Sequence, residues 1–253
     1  MWLTSIATAI VLLALSLSIF AQTNIPIKNI VIVHGAFADA SGWEAVYKIL
    51  KKDGYSVTLV QNPLTSLEDD VAAAGRAIEK MDGPVVLVGH SWGGVVITQA
   101  GNTPKVAGLV YVAAFVPQVG ETAIALLQSG PPLPVNAILP PDDKGLIYFD
   151  KSKFRECFAA EQSDDKANFM ADSQQPIAVK SFLTPVTEAA WKNKPSYAIV
   201  ATEDKSINPA LERTMYKRAG SIVTELKGSH TIYMSHAKAV ASVIEAAATN
   251  SNK

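Results

Sequence analysis

The run Gly89-His90-Ser91-Trp92-Gly93-Gly94 follows an apolar, β-branched segment at 84–88 and opens an apolar segment at 95–100 that reads as a helix. Gly-x-Ser-x-Gly between a strand and a helix demands a very tight turn. The serine is forced into a strained backbone conformation with its hydroxyl held above the sheet. Gly89 and Gly93 flank it because side chains there would clash across the turn. Such a turn, a nucleophile elbow, makes Ser91 a candidate nucleophile and the chain a candidate acyl-transfer enzyme. The alternative is a glycine-rich turn that merely carries a serine, so the rest of the chain has to decide.

Six short apolar runs recur, at 29–33, 56–60, 85–88, 106–113, 197–201 and 222–226. Most are continuous rather than alternating, as expected of strands buried on both faces. Helical segments separate them. The clearest spans 66–81, where Leu67, Val71, Ala74, Ile78 and Met81 form one apolar stripe, Thr65 and Glu68 make a capping-box pattern, and Gly83-Pro84 ends the helix. This alternation predicts an α/β fold: a mostly parallel six-stranded sheet flanked by helices, with any site beyond the carboxyl ends of the strands. The regularity breaks at about 116–194, a stretch rich in proline with helical patches such as 153–160. That is too long for a plain loop and predicts a helical cap inserted after the fourth core strand.

Composition removes several classes of function. A net charge of −1 over 253 residues provides no long-range field for nucleic acid. Cys157 is the only cysteine, so an internal disulfide and a CxxC site are both excluded. His34, His90, His230 and His236 form no metal-ligating pattern, and neither a metal nor a cofactor is expected. No charged side chain precedes Lys28, and 6–20 is apolar apart from Thr8, Ser16 and Ser18. This run is shorter than the roughly 20 residues a span requires. It predicts a signal peptide at 1–21, an exported domain at 22–253 and no stable span after cleavage, the rival being an uncleaved anchor.

A serine nucleophile needs a base and a group that orients the base. The late strand at 197–201 runs into Glu203-Asp204-Lys205. A carboxylate there would hold the imidazole Nδ1 and stabilise the imidazolium. Asp204 is favoured and Glu203 is the alternative, because periodicity does not resolve one residue in a turn. The last strand is followed by Gly228-Ser229-His230, which puts His230 where the base belongs. His236, at the start of the final helix (237–248), fits a surface or capping residue better. Two backbone N–H groups should form an oxyanion hole. One is that of Trp92, after the nucleophile. The other is that of Ala36, in the His34-Gly35-Ala36 loop after the first strand, where Gly35 lets the backbone bend. His34 and His90 read as structural side chains.

These segments, together with Val110-Tyr111-Val112-Ala113-Ala114-Phe115-Val116-Pro117, resemble the α/β-hydrolase superfamily. The likeness is strongest to its small branch of plant methylesterases, hydroxynitrile lyases and bacterial esterase-like proteins. It implies Ser91, Asp204 and His230 as a triad with Ala36 and Trp92 as oxyanion donors. In the related lyases a threonine follows the first histidine and a lysine follows the catalytic one. Here those positions hold Gly35 and Thr231, which favours hydrolysis. The resemblance therefore points to a serine hydrolase acting on a small-molecule carboxylic ester of small or medium apolar character. A lyase and a non-catalytic binding protein are the alternatives. Phe115, Leu126, Leu127, Leu133, Ile138, Leu139, Ile147 and Phe149 are candidates either for pocket lining or for the insertion's own core.

Overall fold

A computed structural model describes residues 27–251. Six strands form one sheet: β1 (Asn29–Val33), β2 (Ser56–Val60), β3 (Val85–His90), β4 (Val106–Val112) and, after the insertion, two more. Within the insertion, β5 (Leu146–Ile147) and β6 (Ile177–Ala178) pair antiparallel as a separate ribbon. The sheet resumes with β7 (Ser196–Ala201) and β8 (Ile222–Leu226), in the order β2-β1-β3-β4-β7-β8. Every pair in it is parallel. β1 and β3 are buried along their whole length, whereas the edge strand β8 leaves Ile222 and Val223 exposed. Unbroken apolar runs therefore belong to strands covered on both faces.

Side-chain alternation divides the core into two layers. On one face Val31, Val33 and Leu87 pack beneath α2 (Leu67–Glu79) and α3 (Gly93–Ala100). On the other, Ile30, Ile32 and Val88 meet α1 (Glu44–Lys52) and the C-terminal helix. Each fully buried aliphatic side chain contributes about 1.5–3 kcal/mol, and this pattern of burial fixes the register of the strands.

Between β4 and β7 lie α4 (Ala123–Ser129), α5 (Phe154–Phe158), α6 (Asp164–Asp172) and α7 (Val179–Leu183). Phe149, Phe154 and Phe158 form an aromatic cluster with ring centroids 4.8–5.5 Å apart, continuous with the layer over α3. Then follow α8 (Pro209–Ala219), α9 (Ile232–Ser235) and α10 (Ala237–Asn250).

Several boundaries differ from expectation. α2 is capped by Ser66, whose Oγ accepts from the Asp69 N–H at 3.0 Å, and not by Thr65. Thr65 instead donates its hydroxyl to the Asp69 carboxylate. α3 begins at Gly93, β3 runs through His90, and β4 stops at Val112, because Ala113 turns to a φ of 44°. The signal-peptide expectation at 1–21 lies outside the described residues. Among the described residues no helix is long and apolar enough to cross a membrane.

Candidate active site

Ser91 occupies the turn between β3 and α3 with φ 53°, the left-handed region that a serine enters only under constraint. The constraint is visible on both sides. The Ser91 N–H donates to the Val112 carbonyl at 3.3 Å, and the Ser91 carbonyl accepts from Gly94 at 3.0 Å and Phe115 at 3.2 Å. A Cβ on Gly89 would lie 2.5 Å from the Gly93 carbonyl oxygen, so the turn closes only on glycine. Gly35 has a related role that its sequence context did not reveal. A Cβ there would lie 2.7 Å from the Ser91 Cβ, so the loop after β1 can rest directly on the elbow.

β7 and β8 are neighbours, and their following loops are stitched together. The Thr202 N–H donates to Leu226 at 2.9 Å and the Glu203 N–H to Gly228 at 3.0 Å. This brings Asp204 against His230, with Asp204 Oδ2 2.6 Å from His230 Nδ1. Both side chains are almost wholly buried. Asp204 Oδ1 accepts from the Ser206 N–H at 2.6 Å and the Ile207 N–H at 3.0 Å, which fixes the carboxylate's rotation. Glu203, the alternative acid, is exposed and faces Lys227 at 3.6 Å. His236 pairs with the Ser235 hydroxyl at 3.0 Å, away from Ser91.

Ser91 and His230 line one cavity, without a hydrogen bond between the hydroxyl and the ring; a nucleophile and its base often meet closely only once substrate binds. Ala36 and Trp92 line the same cavity. Among the described residues neither of their N–H groups is spent on another acceptor.

The other two histidines are structural. His34 Nε2 accepts from the Asn62 N–H at 2.9 Å, so Nδ1 carries the proton and donates to the Gly35 carbonyl at 2.8 Å. His90 Nε2 donates to the His230 carbonyl at 3.0 Å. Burial pushes both imidazoles below their usual range, His90 most strongly, so both are neutral.

Sequence patterns missed four contributors. Glu161, in the insertion, accepts from the Ser229 N–H at 2.5 Å and from its hydroxyl, and Thr231 donates to the Phe158 carbonyl at 3.2 Å. The loop carrying His230 is thus docked on the insertion. Phe158 and Phe182 line the cavity beside Phe115, Leu127, Ile138 and Phe149. Of the remaining apolar candidates, Leu126 and Ile147 are core, Leu133 lines outer depressions, and Leu139 is exposed.

Asp70 is the fourth. It is fully buried, with Oδ1 accepting from the Leu64 N–H at 2.8 Å and Oδ2 from the Trp92 indole at 2.7 Å. It therefore ties the ring behind the elbow to Leu64, itself at φ 58°. Burial lifts its carboxyl to about 6, partly opposed by these hydrogen bonds. Because the folded value lies above the unfolded value of 3.8, the folded state holds an extra proton between 3.8 and about 6. Stability is lost as pH rises through that window, by about 3 kcal/mol. Asp70→Asn lacks this loss. Denaturant unfolding of both proteins from about pH 4 to about pH 7 should show the variant gaining on the parent by about that amount. Parallel curves would show that Asp70 does not titrate in this range.

The cavity holds about 20 Å³, enough for a single water. Leu127 and Ile138 separate it from an outer apolar groove of about 370 Å³, which they also line. A larger depression of about 820 Å³ lies beside Arg155, Glu156, Glu203 and Lys205. It includes neither Ser91 nor His230 and is a charged surface groove. Among the described residues no group of three or more His, Cys, Asp or Glu is arranged to hold a metal.

Known proteins share this frame. The chain is 33% identical over 180 residues to a carbendazim hydrolyzing esterase of Nocardioides sp. (strain SG-4G), covering 66% of each chain. It is 26% identical over 242 residues to a pyrethroid hydrolase of Sphingobium wenxiniae, covering 86% of each. A crystal structure of a pyrethroid hydrolase from Sphingobium faniae JZ-2 superposes with a TM-score of 0.74 at 24% identity, over 86% of this chain and 95% of the other, which speaks for the fold alone. The alpha/beta hydrolase family model matches residues 30–243. With a six-stranded parallel sheet and a serine at the turn after β3, the chain belongs to the alpha/beta hydrolase family.

Proposed function

We propose that the chain is a serine esterase that cleaves carboxylic esters of small or medium apolar substrates through an acyl-enzyme. The observation that carries this is the buried His230–Asp204 pair at 2.6 Å, sharing a cavity with a conformationally strained Ser91. Asp204 keeps the proton on Nδ1, so Nε2 is free to accept the Ser91 proton as Oγ attacks the ester carbonyl. The carbonyl oxygen becomes negative and is met by the Ala36 and Trp92 N–H groups, the latter at the positive end of α3. The tetrahedral intermediate collapses, and His230 returns the proton to the departing alkoxide. Water, deprotonated by the same Nε2, then attacks the acyl-enzyme, and His230 returns the proton to Ser91 Oγ as the acid is released.

The lining limits the substrate. Apart from Ser91, Ser206 and His230 it is apolar, with Trp92 and five phenylalanines. No amine that could receive a leaving anion lines it, and Thr231 stands outside it, which disfavours lyase chemistry. A cavity of about 20 Å³ admits no ester until side chains give way. The boundary shared with the outer groove makes Leu127 and Ile138 the residues that must move. A panel of p-nitrophenyl esters from acetate to long acyl chains tests the reading. The expected profile has kcat/KM highest for short to medium acyl groups and falling for long ones. A folded protein without turnover on any ester would refute the esterase, and a profile rising to the longest chains would refute the size limit.

A further inference from the structure

Asp204 is backed by a second carboxyl group that no step above uses. Glu212, in the first turn of α8, is fully buried. Its Oε2 accepts from the Ala201 N–H at 3.3 Å, at the end of β7. Its Oε1 has no donor within reach. The turn that carries Asp204 is held by the same Ala201, the Asp204 N–H donating to its carbonyl at 3.1 Å, so the two carboxyl groups are buried neighbours. Two adjacent buried carboxylates would offer each other only lone pairs, and Oε1 would stay unpartnered. We infer that Glu212 is a neutral carboxylic acid whose O–H donates to the Asp204 carboxylate, making it a positioning residue for the acid–base pair; this rests on the triad reading above.

Competing influences do not reverse the protonation. The helix N-terminus and Arg213 both favour a charged Glu212. The Arg213 guanidinium, however, is half-exposed and spends its fork on Glu225 at 2.7–2.8 Å. Against them stand complete burial and the negative charge of Asp204. Burial first, and then Asp204, push the Glu212 carboxyl well above its usual range.

The arrangement completes the Asp204 acceptor set. Its Oδ1 takes two backbone N–H groups and its Oδ2 the imidazole, which leaves one lone-pair direction for the Glu212 proton. The donated proton draws electron density from Asp204 without adding charge. An ionised Glu212 would instead put a second negative charge behind His230 and hold the imidazole in its protonated form, unable to act as a base.

Infrared difference spectra between the parent and Glu212→Gln at mildly alkaline pH test this without substrate. The expected result is a protonated-carboxyl carbonyl stretch in the parent, shifted in D₂O and missing from the variant; its absence from the parent would overturn the inference. A parent that turns over no ester would fail the esterase reading while leaving this spectrum decisive. Kinetics supply the second arm. Glu212→Gln, whose amide can still donate, should keep kcat within about threefold of the parent with the acidic limb of its pH profile in place. Glu212→Leu fills the space but donates nothing. It should lower kcat about 10- to 100-fold with little change in KM, and move the acidic limb to higher pH. Parental kinetics in Glu212→Leu, or a Gln variant as impaired as Leu, would reduce Glu212 to packing. If Glu212→Leu does not fold, the spectrum and the Gln variant still decide.

Discussion

Ser91→Ala is expected to lower kcat/KM for p-nitrophenyl esters by about 10⁴-fold or more while leaving the fold intact. On the proposed mechanism the substitution removes the attacking oxygen, while the Ala36 and Trp92 N–H groups and the apolar walls remain and would account for whatever rate persists. The fold should not suffer, because what holds the elbow is backbone. Ser91 N–H to Val112 and the Ser91 carbonyl to Gly94 and Phe115 are unchanged by the substitution. Alanine at φ 53° carries the same Cβ as serine, so the strain is also unchanged. Circular dichroism and thermal unfolding would check the fold. A fluorophosphonate should label the parent stoichiometrically and the variant not at all. Retained turnover in a preparation free of contaminating esterase would remove Ser91 as the nucleophile. An unlabelled but folded parent would leave an inert serine and a binding role for the cavity.

The frame around that serine was legible because it is written in burial. Three of the six sheet strands, at 29–33, 56–60 and 222–226, fall where the apolar runs place them, and the others shift by one or two residues at an end. The inner strands, covered by helices on both faces, have little freedom to be anything but continuously apolar, whereas the part-exposed edge strands β2 and β8 show themselves by their β-branched residues. The two-residue strands β5 and β6 were invisible, because no periodicity exists over two residues. The cap of α2 slipped by one position because Thr65 and Ser66 are both capping residues with an acid three places on. Only the extended backbone of Ser66 distinguishes them.

Polar partnerships across the chain were the other blind spot. Asp70 meets Trp92 across 22 positions, and Glu161 meets Ser229 across 68. In sequence each is one more acidic residue on a helix or loop. The same is true of Glu212, which sits in α8 between buried Leu211 and exposed Arg213 and is buried because that face of the helix packs against β7. Gly35 was seen, but for a bend. Its contact with the Ser91 Cβ exists only once β1 and β3 lie side by side.

Asp204→Asn against Glu203→Gln makes the sharpest comparison, because the sequence could not separate the two acids. Glu203 is exposed and its contact with Lys227 at 3.6 Å lies in solvent, so its amide should leave kcat within about twofold of the parent. Asparagine at 204 keeps the size of aspartate but has one acceptor oxygen. The Ser206 and Ile207 N–H groups both point at the Oδ1 position and demand that oxygen. The amide NH₂ is then turned toward His230 Nδ1, where the carboxylate oxygen stood at 2.6 Å. Two donors cannot face each other, so the ring takes the tautomer with its proton on Nε2. That nitrogen can no longer accept the Ser91 proton. The expected loss is about 10⁴-fold in kcat, with KM nearly unchanged, since Asp204 contributes nothing to the cavity wall. The reverse order of effects would move the orienting acid to Glu203. Equal, small effects would mean that His230 is held by its packing against Phe158 and His90 alone, at centroid distances of 4.9 and 4.6 Å.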